Sequence, residues 1–135
     1  MPLSISEIER LEPRFTIAMK KAGIRTTAKL LETAKSLKGR QMLAERTDIG
    51  QVELLRVVNL IDRMRIRGVG QDYAELLEAA GVSTVKELRY RNPARLAEAM
   101  AKANTERKLV RVLPSEQTVG RWIDHARALP VKVSY

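Results

Sequence analysis

Apolar residues recur every three or four positions along much of the chain, the spacing that gathers them on one face of an α-helix. One such stretch is Gln51–Arg65, which contains no Gly or Pro and whose apolar stripe consists of Leu54, Val57, Leu60, Ile61 and Met64. Another is Glu116–Leu129, with one face formed by Val119, Trp122, Ile123 and Ala126. Strand-like alternation is weak throughout, and residues 130–135 are extended at best. The pattern predicts an all-α chain of about nine short helices.

Helix start signals mark three further boundaries. Thr84, followed three positions later by Glu87, is typical of a capping box, and it predicts a helix over Val85–Arg91. Asn92 followed by proline predicts an N-cap and first helical residue for Pro93–Ala103. Ser115 is the expected N-cap of the helix that begins at Glu116.

The chain also carries an internal repeat. Residues 22–27 (AGIRTT) align with residues 80–85 (AGVSTV). The register later shifts by four residues, and four residues of the first repeat then match four of the second: Val57, Leu60, Ile61 and Asp62 match Val119, Trp122, Ile123 and Asp124. We therefore predict a first helical repeat over 1–65, a second over 66–129 and a C-terminal tail over 130–135. Because no Gly- or Ser-rich linker separates the repeats, they are expected to pack into one compact helical body.

The strongest local signal is the segment Ile66–Leu77, where one helix ends, a Gly-Val-Gly turn follows and another helix begins near Gln71. The glycines permit unusual backbone angles and close approach of a ligand, Val69 anchors the turn, and the open N–H groups of the second helix attract anions. This predicts a phosphate-binding hairpin that does not read sequence, although a tight turn without a ligand is the alternative. The predicted nucleic-acid-binding residues are Arg63, Arg65, Arg67, Gly68, Val69, Gly70 and Gln71.

The net charge of the chain also favours the binding of phosphate groups. There are 25 Lys and Arg residues against 16 Asp and Glu, a formal net charge of +9, shared between both repeats, and such basic proteins commonly bind polyanions. Further basic candidates lie outside the hairpin, although such a residue more often forms a solvated face or an ion pair with Glu or Asp within the protein. They are Arg89, Arg91, Arg95, Arg107, Lys108 and Arg111.

Catalytic chemistry is poorly represented. The absence of Cys excludes disulfides, thiolate metal sites and cysteine nucleophiles, and a single His125 leaves no His-based metal cluster. Asp62 and Asp124 occupy equivalent repeat positions, which indicates a structural role such as a helix cap or an ion pair. The expectation is a non-enzyme without a metal, cofactor or small-molecule substrate.

Three runs in the sequence resemble a known family: DRMRIRGVGQDYAELLEAAGVSTVKEL, RNPARL and KLVRVLPSEQTVGRWIDHARALP. With the hairpin and the repeat, they are similar to the bacterial helix-hairpin-helix proteins of domain-of-unknown-function family 4332. The resemblance implies tandem helix-hairpin-helix units like those of DNA polymerases, ligases and repair proteins. It implies no settled activity, and sequence-independent duplex DNA binding follows from it only by analogy of fold.

The first repeat departs from the family pattern. In the segment Ile8–Pro13, Arg10 and Glu12 stand where the two glycines would be, while Leu11 can still fill the core. A carboxylate beside the phosphate position and a costly backbone angle argue against phosphate binding there. Only the second repeat is therefore expected to bind phosphate.

Two functions remain open from the sequence. The first is non-catalytic binding of duplex or structured DNA, because the few aromatic residues argue against stacking of single-stranded bases. The second is a helical protein-interaction or scaffold module that binds no nucleic acid. No signal peptide and no membrane span are expected, so the predicted location is the cytoplasm, or the nucleoid if DNA is bound.

Overall fold

The computed structural model describes residues 3–135, and within this range the chain is helical and contains no β-strand. An isolated bridge pairs Ser4 with Thr26, and a short 3-10 turn covers Ile5–Glu7. The α-helices are α1 (Pro13–Lys21), α2 (Thr27–Ala34), α3 (Leu37–Thr47), α4 (Gln51–Arg63), α5 (Gln71–Ala79), α6 (Val85–Leu88), α7 (Pro93–Arg107) and α8 (Glu116–Ala128). The all-α prediction is confirmed. Met1 and Pro2, which open the first predicted repeat, lie outside the described residues.

Side chains cap the helices that the sequence signals mark. Thr84, Asn92 and Ser115 each accept a hydrogen bond from the main-chain N–H three residues later, as predicted. The helix after Thr84 is shorter than predicted and ends at Leu88. The N–H groups of Tyr90 and Arg91 donate to carbonyls only three residues back, and the chain is then extended at Asn92, which precedes a proline. The helix after Asn92 continues to Arg107, past the predicted end at Ala103.

One compact unit comprises the described residues up to Ile61 together with Lys132–Tyr135. Within it, α3 packs against both α1 and α2. The C-terminal segment belongs to this unit: the Ser134 N–H donates to the Lys35 carbonyl (2.9 Å), and Arg40 Nη2 donates to the Ser134 carbonyl (2.6 Å). Val133 is buried, whereas Tyr135 is exposed.

A second compact unit covers Asp62–Val131, so the division falls inside the last turn of α4. In this unit α5 and α8 pack on α7, and α6 packs on α8. Its buried apolar side chains include Ile66, Val69, Leu76, Leu77, Val82, Leu88, Leu96, Met100, Trp122 and Ile123.

The two units present the same local features in the same order. In each, a helix ends at a glycine with positive φ, a threonine caps the next helix, and a longer helix ends at a left-handed residue that is not glycine. These pairs are Gly23 and Gly81, Thr26 and Thr84, and Asp48 and Lys108. The aligned AGIRTT and AGVSTV segments therefore have matching local features, a glycine with positive φ and a capping threonine.

No α-helix within residues 3–135 combines the length and the apolar content that a membrane crossing requires.

Candidate nucleic-acid interface

The segment of residues 64–70 connects α4 to α5 and is anchored by two buried side chains, Ile66 and Val69. Its backbone folds tightly: the Ile66 N–H donates to the Arg63 carbonyl (3.2 Å), and the Val69 N–H donates to the Ile66 carbonyl (3.0 Å). The inward position predicted for Val69 is what the structure shows. This anchoring presents the backbone of the intervening residues at the surface.

Gly68 is required by the fold of this segment. Its φ is +89°, a left-handed angle that side chains rarely tolerate. A Cβ at this position would also lie 3.4 Å from Trp122 Nε1. Glycine at this position is explained by the protein alone.

Gly70 has no such explanation. Its φ of −91° and ψ of −166° suit any residue, and no heavy atom lies within 4 Å of the position that a Cβ would take. Gly70 is the N-cap of α5, because its carbonyl accepts the Ala74 N–H (2.9 Å), and it provides no side chain to cap the helix. The missing side chain therefore leaves open the approach to the N-terminus of α5, where half-buried Gln71 is the first helical residue.

Most of the other α-helices differ from α5 at the N-terminus, although Glu12 forms no side-chain cap at α1 and Gly50 is the N-cap of α4. The N-termini of five other helices are capped by an oxygen of a side chain that accepts a main-chain N–H, and these caps are Thr26, Ser36, Thr84, Asn92 and Ser115. At α5, the N-cap Gly70 forms no side-chain cap, and the first turn lies at the positive end of the helix dipole.

Arg63 lies inside the second unit, although the sequence places it among the hairpin arginines. Its side chain is 1% exposed, Nε donates to the Ala74 carbonyl (2.8 Å), and Nη1 donates to the Ser83 carbonyl (3.0 Å). Nη2 lies 3.2 Å from a carboxylate oxygen of Glu78. Burial lowers the pKa of Arg63, while the nearby Glu78 carboxylate opposes that change. This guanidinium joins α5 to the segment before α6 and does not reach the surface.

Arg65 is also held by the protein. Nη1 donates to Asp62 Oδ1 (2.8 Å) and Nη2 to the Pro130 carbonyl (2.7 Å). The other carboxylate oxygen of Asp62 accepts the Val85 N–H at the start of α6 (2.8 Å), so Asp62 has the cap and ion-pair role expected of it. Asp124, the matching residue, is exposed and lies 3.6 Å from Arg127.

Arg67 is the hairpin arginine with an exposed side chain. Its main-chain N–H donates to Nδ1 of half-buried His125 (3.0 Å), which ties the connecting segment to α8. His125 thus has a positioning role for the backbone, for which the sequence carries no signal.

A groove of about 740 Å³ lies beside the first turn of α5. Asp72 and Tyr73 line it on the α5 side, and residues 108–112, which include Lys108 and Arg111, line it on the other. The sequence analysis predicts Lys108 and Arg111 as candidate binding residues, but nothing in the sequence indicates that they lie near the hairpin. Two long-range features place them there: α7, which Lys108 follows directly, packs on α5, and the Tyr73 hydroxyl donates to the Val112 carbonyl (2.8 Å).

The other basic candidates divide into two groups. Arg89 donates through Nε to the Ala126 carbonyl (2.9 Å) and through Nη2 to the Leu129 carbonyl, and Arg91 reaches the Ala80 carbonyl at the end of α5 (3.4 Å). Arg95 and Arg107 are exposed on α7.

The corresponding position in the first unit has a different geometry. Arg10 does not adopt a left-handed angle, since Asp48 and Lys108 are the non-glycine residues with positive φ among those described. Glu12 is the N-cap of α1, and its carboxylate pairs with Arg14 (3.1 Å), which also contacts Glu53 (2.7 Å). The hydrogen bond to Glu53 is the main cause that raises the pKa of Arg14. A carboxylate and its ion pairs thus stand where the second unit has an open glycine.

Among residues 3–135, no three or more His, Cys, Asp or Glu side chains come together as a set of metal ligands.

Comparison with known proteins identifies the family of this chain. The model of the family described as "Domain of unknown function (DUF4332)" matches residues 9–129, which is most of the chain, and the protein belongs to this family. Neither the curated proteins nor the solved structures yielded a match.

Proposed function

We propose that this member of the DUF4332 family is a non-catalytic protein that binds the sugar-phosphate backbone of duplex DNA, largely without sequence preference. In this proposal α4, residues 64–70 and α5 form a helix-hairpin-helix, the phosphate-binding one of a tandem pair. The observation that carries the proposal is that Gly70, which no backbone angle and no neighbouring atom of the protein requires, opens the N-terminus of α5 beside a groove lined by Lys108 and Arg111. A phosphate oxygen approaching the N-terminus of α5 supplies the missing reason.

Backbone groups provide the first part of the binding energy. The N–H groups at the start of a helix have no partner within it, and they lie at the positive end of its dipole. With glycine as the N-cap, the cap residue itself has no side-chain oxygen that would compete with a phosphate for them. Contacts of this kind fix a protein on the duplex but do not distinguish base pairs.

Exposed cations provide the second part. Arg67 follows the buried Ile66, and Lys108 and Arg111 line the groove beside the first turn of α5. We leave Arg63 and Arg65 out of the proposed surface, because their guanidinium groups already bind carbonyls and carboxylates of the second unit. Each phosphate that a cation neutralises releases counterions, so the affinity depends steeply on salt.

The first unit is not proposed to bind phosphate through its equivalent segment. The Glu12 carboxylate would repel a phosphate at the N-terminus of α1, and Arg10 lacks the backbone angle of Gly68. Its role in the proposal is structural.

A pair of matched charge substitutions tests the proposal. Gly50 is also an N-cap, since its carbonyl accepts the Leu54 N–H, and a Cβ there likewise meets no atom within 4 Å. Gly70→Glu and Gly50→Glu therefore change the net charge equally, and both are sterically free. We expect Gly70→Glu to weaken duplex binding by roughly tenfold or more, and Gly50→Glu by no more than about twofold, because only the first loses a phosphate contact.

The measurement is fluorescence anisotropy with a labelled duplex at two salt concentrations, and circular dichroism confirms that both variants fold. Equal affinities for the two variants would exclude the α5 site. Absence of salt-dependent binding by the unaltered protein would contradict DNA binding altogether and would favour the scaffold function.

A further inference from the structure

The connection between α7 and α8 distinguishes the second unit from the first. It comprises residues 108–115, eight residues, whereas the equivalent connection between α3 and α4 comprises only residues 48–50. The helix before it is also longer, with 15 residues in α7 against 11 in α3. In repeat proteins, an insertion that only one copy carries commonly forms part of the binding face.

Hydrogen bonds hold the 108–115 connection in a defined shape. The Asn104 side chain bonds Val110 twice, donating through Nδ2 to its carbonyl (3.1 Å) and accepting its N–H through Oδ1 (3.0 Å). The Tyr73 hydroxyl fixes the Val112 carbonyl at 2.8 Å, and the Tyr73 ring packs against Trp122 with centroids 5.4 Å apart. The connection is thus fastened to the first turn of α5, the turn proposed to hold a phosphate.

The tip of this connection presents apolar side chains to solvent. Val112 is 71% exposed and Leu113 is 42% exposed, while the nearby cations Lys108 and Arg111 are exposed as well. An apolar tip set among cations does not match an apolar protein surface, where the cations would lose their hydration without a partner. It does match a duplex, whose phosphates flank a groove with apolar base faces inside.

We infer that Val112 and Leu113 form an apolar wedge that enters the minor groove and partly separates adjacent base pairs of the duplex held at α5. This inference rests on the proposed function and adds to it a preference for easily deformed DNA. Lys108 and Arg111 contact the phosphates on either side of the groove. Separating a base step costs free energy that depends on the step, so flexible steps, nicks and mismatches are preferred over stiff tracts.

The test compares Val112→Ser/Leu113→Ser with Leu37→Ser/Ile17→Ser. The control pair removes two aliphatic side chains that are also exposed, at 45% and 53%, but that belong to the first unit and lie outside α4. The probes are two duplexes of equal length, one with a central mismatch next to 2-aminopurine and one with a continuous A-tract. We expect the unaltered protein and the control to prefer the mismatched duplex by roughly tenfold and to raise its 2-aminopurine fluorescence.

The wedge variant is expected to lose both the preference and the fluorescence change while keeping its salt-dependent affinity for the A-tract duplex. If the wedge variant keeps the preference, or if the unaltered protein binds both duplexes equally and salt-dependently, the wedge is wrong and the backbone-binding function stands. If the unaltered protein binds neither duplex, both proposals fail. Sedimentation of the wedge variant then shows whether the tip joins two copies of the chain instead.

Discussion

Arginine side chains in this protein repeatedly donate hydrogen bonds to main-chain carbonyl oxygens. A guanidinium suits this role because its five N–H donors can reach carbonyls on two segments at once. A high Arg content therefore reflects internal structure as well as surface charge. The arginines that bind carbonyls in this way within the described residues include Arg40, Arg46, Arg63, Arg65, Arg89, Arg91 and Arg127.

Arg63 is the most deeply buried of them, and its replacement tests the structural role. Arg63→Met keeps the apolar stem but leaves the Ala74 and Ser83 carbonyls without their donor. We expect it to lower the free energy of unfolding by about 2–4 kcal/mol, because each buried carbonyl left unsatisfied costs about 1–3 kcal/mol. Urea denaturation measures the loss.

Arg67→Met is the matched control for this prediction. The side chain of Arg67 is exposed, so its replacement should change the free energy of unfolding by no more than about 0.5 kcal/mol while weakening duplex binding. A similar loss of stability in both variants would contradict the different roles assigned to the two arginines.

His125 makes a second test at this scale, because its Nδ1 accepts the Arg67 N–H. His125→Phe removes the acceptor, whereas His125→Asn keeps a side-chain oxygen near the same place. We expect the Arg67 amide to exchange with solvent roughly fivefold faster in the Phe variant, since a net hydrogen bond of about 1 kcal/mol is lost. The Asn variant should restore most of the protection, and equal exchange in all three proteins would show that the bond does not hold the segment.

At the scale of elements, the segment before α2 in the first unit and the segment before α6 in the second are held by different kinds of hydrogen bond. In the first unit the backbone holds it: the Thr27 N–H donates to the Leu3 carbonyl, and the Ile5 N–H donates to the Arg25 carbonyl. In the second unit side chains hold it, because the Val85 N–H donates to Asp62 and Arg63 donates to the Ser83 carbonyl. Charged side chains thus replace a two-residue bridge.

The sequence predicts elements well where the controlling signal is local. Asn92 and Ser115 cap the helices they were expected to cap, and the Gly68–Gly70 turn ends where α5 was expected to begin. Each of these depends on residues no more than three or four positions apart.

The same reasoning misses contacts between distant segments. The spacing around Arg63 indicates a helical position near a predicted phosphate site, but its partners lie 11 and 20 residues further along the chain. Lys108 and Arg111 come beside α5 through the packing of α7 on α5 and through the Tyr73–Val112 hydrogen bond, which joins residues 39 positions apart. In the sequence, the four-residue shift of the repeat register is the signal that indicates a longer connection between α7 and α8.

At the scale of the whole molecule, the net charge of +9 overstates the cations free to bind a polyanion, since several arginines are already bound internally. The salt dependence of duplex binding should therefore reflect the few exposed cations near α5 rather than the total charge.

A pH dependence follows from Glu32 in the first unit. Hydrogen bonds from Lys132 and Lys35 lower the pKa of Glu32 to about 2, from an ordinary value of 4.5. A depressed pKa in the folded state means that the stabilisation is complete above pH 4.5 and is lost as the pH falls toward 2. We expect the urea midpoint to drop between pH 6 and pH 3, and to drop less in Glu32→Gln.

Glu45→Gln serves as the comparison, because it removes an exposed carboxylate of the same unit that forms no salt bridge within the described residues. If Glu45→Gln flattens the pH response as much as Glu32→Gln does, the pairing with Lys132 is not its source.

Residues 132–135 make the first unit discontinuous in sequence, because the whole second unit is inserted between its two parts. The chain leaves the first unit after Ile61, builds Asp62–Val131, and comes back to finish the unit it began. A chain terminated after Leu129 would still contain all eight α-helices of the described residues. Its first unit, however, would lack Val133 and the Ser134 groups that bond Lys35 and Arg40. Truncation of the last residues is therefore expected to destabilise the packing around α2 and α3, nearly a hundred positions earlier in the sequence.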